Sequence, residues 1–437
     1  MRHFLVSLFF YLCCNFMQAQ NARTIIAELS AINQSVSGKS CDSGSVISHR
    51  GMNVFMADKT GYLSANTDLS YYTNYVTLNT AEGKFTVNHN FQQAASGKDA
   101  PLKKLLSIGF DMSLAGNYAK SFTDKRFENE LGITINYKWL CKVKTRFAGC
   151  SDNNFNQQRA MNALRAALIT SLEQEILKKE ADFIQSLNGM DSVLPAGQDL
   201  AASKKLAAQN FYEELETATA EKFATTQAAL LSKTGHFKTI STGWTSFQIY
   251  LPLFFPKYTV ASSLVSDFDN RHPYPLMAML GHTRLWESNK AGRLFVTLNA
   301  ALLFNNSKLS YGLNKMNYGE YKSLGGTAAQ MQEDHGSSNL YIGSYKTFMT
   351  ASVSARFVYY PINSHVGISF LAEKDFGNYD PLQLKVGIPV VLINSKKTPA
   401  VTVECYALFL DIGRTIPGIS KSRLGLSVGI PFSRLMY

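Results

Sequence analysis

Residues Leu131-Gly132-Ile133-Thr134-Ile135-Asn136-Tyr137-Lys138-Trp139 decide the fold. Every second position is apolar and those between are small or polar, which is the period of a strand whose two faces meet different surroundings. The same rule recurs along the chain. Leu106, Ile108, Phe110, Met112 and Leu114 alternate with Ser107, Gly109, Asp111, Ser113 and Ala115. Leu294, Val296, Leu298, Ala300, Leu302 and Phe304 alternate with a set containing Thr297, Asn299 and Asn305, and Leu424, Leu426, Val428, Ile430 and Phe432 with Gly425, Ser427, Gly429, Pro431 and Ser433. Segments 347–360, 365–376, 382–393 and 400–412 obey it too.

A soluble antiparallel sheet also alternates, so strand length and chemistry have to separate the two environments. Many of these segments reach ten residues, the length that crosses a bilayer at a tilt of about 45°, whereas globular strands average about five to six. The polar faces are rich in Gly, Ser, Thr and Asn, and the apolar faces carry aromatics near their ends, as in Tyr137 and Trp139 or Phe357 and Tyr359. Composition agrees: of 437 residues 17% are charged and 12% aromatic, with 28 Phe and 21 Tyr, too apolar for disorder. After the first 20 residues no apolar run reaches the roughly 18 residues of a spanning helix, which excludes a helical membrane protein.

The expected fold is an all-β transmembrane barrel of about 12 antiparallel strands with an inserted α-helical hairpin. The candidate strands are 68–79, the weakest, then 84–91, 104–116, 130–142, 237–253, 276–288, 292–305, 347–360, 365–376, 382–393, 400–412 and 423–433. An even number with both termini in the periplasm makes 289–291, 361–364 and 394–399 periplasmic turns, and 254–275, 306–346 and 413–422 external loops. Pro252 and Pro256 interrupt 237–266, which is read as one strand rather than two.

Residues 1–20 read as a signal peptide: Arg2-His3, an apolar run from Phe4 to Phe16, and a small-residue exit at Ala19. Residues 21–65 form an N-terminal periplasmic or plug segment with one short helical candidate, Thr24 to Ile32. Residues 66–153 hold the first barrel strands, 154–234 the helical hairpin and 235–437 the remaining strands. The hairpin is read from Ala, Leu, Glu, Gln and Lys, good helix formers, with Met161, Leu164, Leu168, Leu172 and Ile176 at steps of three or four. Asn188-Gly189 and Pro195-Ala196-Gly197 stop its arms. Two long amphipathic arms do not bury both faces alone, so a periplasmic or envelope protein is the expected partner.

Export makes disulfides permissible. Cys141 and Cys150 bracket a basic turn and either pair locally or stay free thiols; no Cys/His spacing suggests zinc or another metal, and no cofactor is implied. Strand phase places Asp111, Lys138, His282, Arg284, Arg356, Glu373, Lys385 and Glu404 in the lumen. These charges either form an eyelet that selects solutes or a salt-bridge network that fills a lumen between the eight-strand and sixteen-strand sizes; the network is the preferred reading. The net charge of +11 suits acidic outer-membrane lipid at the surface, not nucleic acid for an exported barrel.

The Met17-Gln18-Ala19-Gln20 exit and the closing Gly425-Leu426-Ser427-Val428-Gly429-Ile430-Pro431-Phe432 strand resemble those of Gram-negative outer-membrane β-barrel proteins, Bacteroidota-like in both features. The resemblance covers about two thirds of the chain, is architectural, and carries no family-specific functional motif. It implies the cell outer membrane and a porin-like solute channel, or a scaffold subunit of an envelope complex. Asp334-His335-Gly336-Ser337-Ser338-Asn339 supplies the residue types of a lipid-modifying hydrolase, but adjacency in sequence does not make a triad, and a non-enzymatic barrel is the expectation.

Overall fold

The computed structural model describes residues 21–37, 47–63, 73–80, 83–92, 99, 101–113, 122–123, 126–127, 131–147, 156–189, 200–234, 237–254, 258–262, 269–271, 274–307, 314–323, 331–378, 380–395, 398–410, 412 and 422–434. The proposed signal peptide lies outside them. Twelve strands, numbered here in chain order, make the barrel: β1 (Thr73–Asn79), β2 (Lys84–Gln92), β3 (Lys104–Ser113), β4 (Leu131–Leu140), β5 (Phe237–Phe254), β6 (Met277–Ser288), β7 (Gly292–Asn306), β8 (Thr347–Tyr360), β9 (Ile368–Phe376), β10 (Leu382–Ile393), β11 (Pro399–Phe409) and β12 (Ser422–Arg434). Each pairs antiparallel with its neighbour in sequence, and β12 returns to β1 from Thr73↔Arg434 to Asn79↔Ser427. The sheet therefore closes and leaves no barrel edge. A short extra strand, Lys144–Phe147, continues along the edge of β5 that β4 occupies. Pro252 lies inside β5, where the pairing with β4 shifts register between Leu131 and Gly132, so a residue without an N–H sits at an irregularity and the strand continues through it.

Alternation sorts the side chains. Phe110, Ile135, Trp139, Phe247, Leu280, Leu298, Leu302, Phe304, Val353 and Phe370 are exposed on the outside, while Asn88, Ser107, Asn136, Gln248, Thr283, Thr297 and Ser354 are buried on the inside. An exposed apolar belt around a polar interior is the pattern of a membrane barrel and the inverse of a soluble one.

Strand direction gives the barrel two different ends. The turns 289–291, 361–367 and 394–398, the starts of β1 and β5 and the finish of β12 share one end, the turn end. The long connections 255–276 and 307–346 lie at the other, the loop end, where Tyr258–Ala261, Asp269–Arg271, Asn314–Ser323 and Met331–Ile342 build a separate four-stranded sheet. A region expected as loop thus contains strands.

Four helices gather at the turn end: α1 (Ala22–Ser37), α2 (His49–Thr60), α3 (Asn156–Gly189) and α4 (Leu200–Thr234). α3 and α4 run antiparallel, with Phe183 stacked on Phe211 at 3.9 Å and Glu175 paired with Lys222. The two long helices do not stand alone, because α1 lies antiparallel to α3. The buried Arg165 guanidinium donates to Asn33 Oδ1 at 2.7 Å and Ser37 Oγ at 2.8 Å, and Ala22 N donates to Glu180 Oε1 at 3.2 Å. Ala22, Ile25 and Leu29 of α1 complete a core with Ile169, Leu172, Ile176, Leu215 and Phe223. The chain's own N-terminal helix therefore supplies part of the cover that the sequence reading left to a partner.

Candidate functional site

The second helix, α2, was not anticipated in the Gly, Ser and Asn-rich segment, yet it is the most buried helix. Ser48 caps it, its Oγ accepting from Gly51 N at 3.0 Å, and the Asp99 carboxylate accepts from His49 N at 3.2 Å and Arg50 N at 3.0 Å. A negative group at these otherwise unpaired amides suits the helix N-terminus. The remainder of α2 fits into the turn end. Val54, Phe55, Met56 and Ala57 pack with Leu105 of β3, Ile240 and Trp244 of β5, Leu285 of β6, Phe295 of β7, Val358 and Tyr360 of β8 and Val391 of β10. The lumen-facing side of the wall therefore carries an apolar patch at this end, with Glu287, Arg293 and Thr402 beside it, and is polar above it.

Polar contacts fix the helix to the rim. Lys59 Nζ lies 2.5 Å from Glu287 Oε1, and Arg293 Nε donates to Glu287 Oε2 at 2.7 Å. Burial, and then the Arg293 guanidinium, pull the Lys59 ammonium down to about 8. Arg293 lies 3.9 Å over the ring of Tyr62, which meets Tyr360 edge-on at 5.1 Å. Tyr360 Oη donates to Tyr62 O at 2.9 Å, Tyr62 Oη lies 3.0 Å from His365 Nδ1, and Thr402 Oγ1 donates to Gly61 O at 3.1 Å. A Cβ at Gly61 would lie 3.1 Å from the Pro399 ring, a tight contact to which the ring would have to yield by a few tenths of an ångström. Strands β5 to β8, β10 and β11 all contribute to this seat.

Above the seat the wall is hydrogen-bonded to itself. Lys385 Nζ donates to Glu404 Oε2 at 2.9 Å and lies 3.8 Å over the Tyr406 ring; Ser369 Oγ donates to Glu404 and Tyr406 Oη to Asn79. Asp111 accepts from Thr86 at 2.6 Å and from Thr134, with Lys84 Nζ 3.5 Å away. Lys138 and Glu404 are each 1% exposed, and Asp111 and Lys385 are also buried. Arg356 and Glu373 share the inward phase of Ser354 and Asp375 and are half-buried, with Ser352 Oγ donating to Glu373 at 3.3 Å. Six of the eight lumen candidates thus face inward, with Asp111 in one local cluster and Lys385 with Glu404 in another.

His282 and Arg284 do not face inward. They alternate with buried Thr283 and Leu285 and share the outer face with Leu280 and Trp286, 54% and 43% exposed. The inversion has a physical cause. Strand β6 carries apolar residues on both faces, Leu280 and Trp286 outward and Leu285 inward in the α2 seat, so hydrophobicity there does not mark the outside. Cys141 is an exposed free thiol, and Cys150 lies outside the described residues. His335 and Ser337 fall in the strand Met331–Ile342, where their side chains lie outside the described set. Among the described residues no cluster of three or more His, Cys, Asp or Glu is arranged to hold a metal.

No family model and no curated protein matches the chain. Among solved structures it is similar to a KdgM porin, at 6% identity and TM-score 0.30 over 83% of this chain and 99% of that one. It is also similar to the translocator domain of autotransporter NalP from Neisseria meningitidis (9%, TM-score 0.27, 86% and 94%) and to the CymD monoaromatic hydrocarbon channel (8%, TM-score 0.24, 82% and 87%). The likeness is one of barrel architecture, and no residue role is carried over from it.

Proposed function

We propose that the chain is an outer-membrane barrel whose own N-terminal segment closes the lumen, and that it anchors the helical bundle of α1, α3 and α4 at the periplasmic side as a scaffold subunit of an envelope complex. The observation that carries this reading is the seat of α2. A helix held by apolar packing and by Lys59–Glu287 against half or more of the rim occupies the mouth that a free channel leaves open. Leu164, Leu177 and Ile184 of α3 and Leu206 of α4 remain exposed after α1 has packed, which leaves apolar surface for an envelope protein.

Conductance tests the reading. The full-length mature chain in planar bilayers is expected to be silent, and Phe55→Asp, which places a carboxylate in the seat, is expected to give discrete steps. Steady conductance from the unaltered chain would overturn the closed-lumen assignment in favour of a small-solute channel.

A further inference from the structure

The outer surface around Arg284 is built differently from the rest of the belt. Register aligns Lys104 of β3 with Trp139 of β4, Trp139 with Thr245 of β5, and Thr245 with His282 of β6, whose Nδ1 lies 3.0 Å from Thr245 Oγ1. Nearer the turn end Gly243 is opposite Arg284, and in the next outward row Ser241 lies between Lys144 and Trp286. Gly243 has no side chain, and the Arg284 stem occupies that gap, since a Cβ at 243 would lie 3.2 Å from Arg284 Cδ. The guanidinium then lies 5.9 Å over the Trp286 ring, directed to the turn end and away from the mid-belt residues Leu280 and Leu298.

Three features of this patch point to one ligand. Trp139 and Trp286 are two of the chain's three tryptophans; both are outward and exposed, and such rings sit at the level of lipid headgroups. Among the described residues Lys104, Lys144 and Arg284 form no ion pair. Lys144 is level with Trp286, two strand spacings of about 4.8 Å across and two residues along from Arg284, so their backbones are roughly 12 Å apart, a span that two long basic side chains bridge around one phosphate. A guanidinium on the lipid face is costly at mid-bilayer and favourable beside anionic headgroups.

We infer that the outer face of β3 to β6 at the turn end is a binding site for the phosphate headgroup of an anionic phospholipid, held by Arg284 and Lys144 between Trp139 and Trp286, with Lys104 on the same outward face. The inference rests on the membrane reading above. It gives the barrel a fixed lipid contact directly below the strand edge that carries the helical bundle.

The full-length mature chain is first floated with phosphatidylcholine vesicles, then titrated in detergent with phosphatidylglycerol and with phosphatidylcholine while bound lipid is counted by native mass spectrometry. Tighter binding of phosphatidylglycerol is expected, weakened about fivefold for each charge removed in Arg284→Gln and Lys144→Gln. Lys178→Gln with Lys205→Gln, on the helices, is expected to leave it unchanged. Heat-dependent gel mobility verifies that each variant is folded. Failure to float would overturn the membrane reading and the lipid site together. Flotation with equal affinity for the two lipids, or equal loss in the helix variant, would overturn the site alone. Displacement of phosphatidylglycerol by inorganic phosphate would make it a soluble-anion site and overturn the lipid assignment.

Discussion

Ser48 and Gln227, 179 residues apart, hold each other through two hydrogen bonds inside the protein: Ser48 N donates to Gln227 Oε1 at 2.9 Å, and Gln227 Nε2 donates to Ser48 Oγ at 3.2 Å. Ser48 is the cap of the seated helix α2, and Gln227 belongs to the last turns of α4, just before β5 enters the barrel. Helices α2 and α4 are thus joined at a buried polar contact. Movement of one strains the other.

Gln227→Ala should therefore loosen α2 without touching it. The change leaves Ser48 N without its acceptor, at a cost of about 1–3 kcal/mol. Amide hydrogen exchange over residues 49–60 is expected to quicken accordingly, while exchange in β8 to β11 stays at its original rate. Unaltered exchange in α2 would mean that the rim contacts alone retain the helix.

The Lys59 ammonium gives a pH-dependent signature. Its pKa is about 8 in the folded chain against an ordinary 10.5, so the folded state binds fewer protons than the unfolded state between those values. This residue's contribution to stability therefore increases from about pH 8 to 10.5 and is lost as pH falls back through 8. Thermal unfolding of the unaltered chain and of Lys59→Met in one detergent, at pH 7.5 and pH 10, isolates it. The unaltered chain should gain on the variant at the higher pH; parallel shifts in the two proteins would contradict a buried Lys59.

The barrel was legible in the sequence because period-two alternation needs only two different environments. Residues such as Ile133, Ile135, Tyr137 and Trp139 report the outer one directly, and eleven strands lie where the alternation places them, with ends shifted by a few residues, while the first, weak in pattern and supported by the even strand count, is Thr73–Asn79. Helix α2 was not legible, although the segment that contains it was read as a periplasmic tail or a plug. The helix is short, and the apolar cluster Met52 to Ala57 is buried on nearly all sides rather than along one stripe, so it carries no clear helical period. The seat itself caused the one phase error, at His282 and Arg284, because Leu285 is inward and apolar. Ser48 before an apolar run was the available cue for α2.

The Lys385–Glu404 pair makes a prediction about wall energetics. Glu404→Leu alone leaves a buried ammonium without its carboxylate and should destabilise the barrel by about 3–5 kcal/mol, read as a lower temperature for conversion to the unfolded gel band. Lys385→Met combined with Glu404→Leu removes both charges and should restore most of the loss. If the double variant converted as early as the single one, packing around Tyr406 rather than the charge would be the cause.

The side on which the helices lie follows from the strand count. β1 begins and β12 finishes at the turn end, and eight strands, β5 to β12, follow α4, so the helices share an end with both barrel termini. The alternative that would move them, a break at Pro252 that adds a crossing, is removed by β5 running unbroken from Phe237 to Phe254. On the proposed outer-membrane reading, with barrel termini in the periplasm, the bundle is expected on the periplasmic side. A cysteine at the exposed Glu213 tests this in a background where the native cysteines are serine, which is required because Cys141 and Cys405 are exposed free thiols. A membrane-impermeant maleimide should label Glu213→Cys only after the outer membrane is permeabilised. Labelling of intact cells would place the bundle outside and reverse the orientation of the barrel.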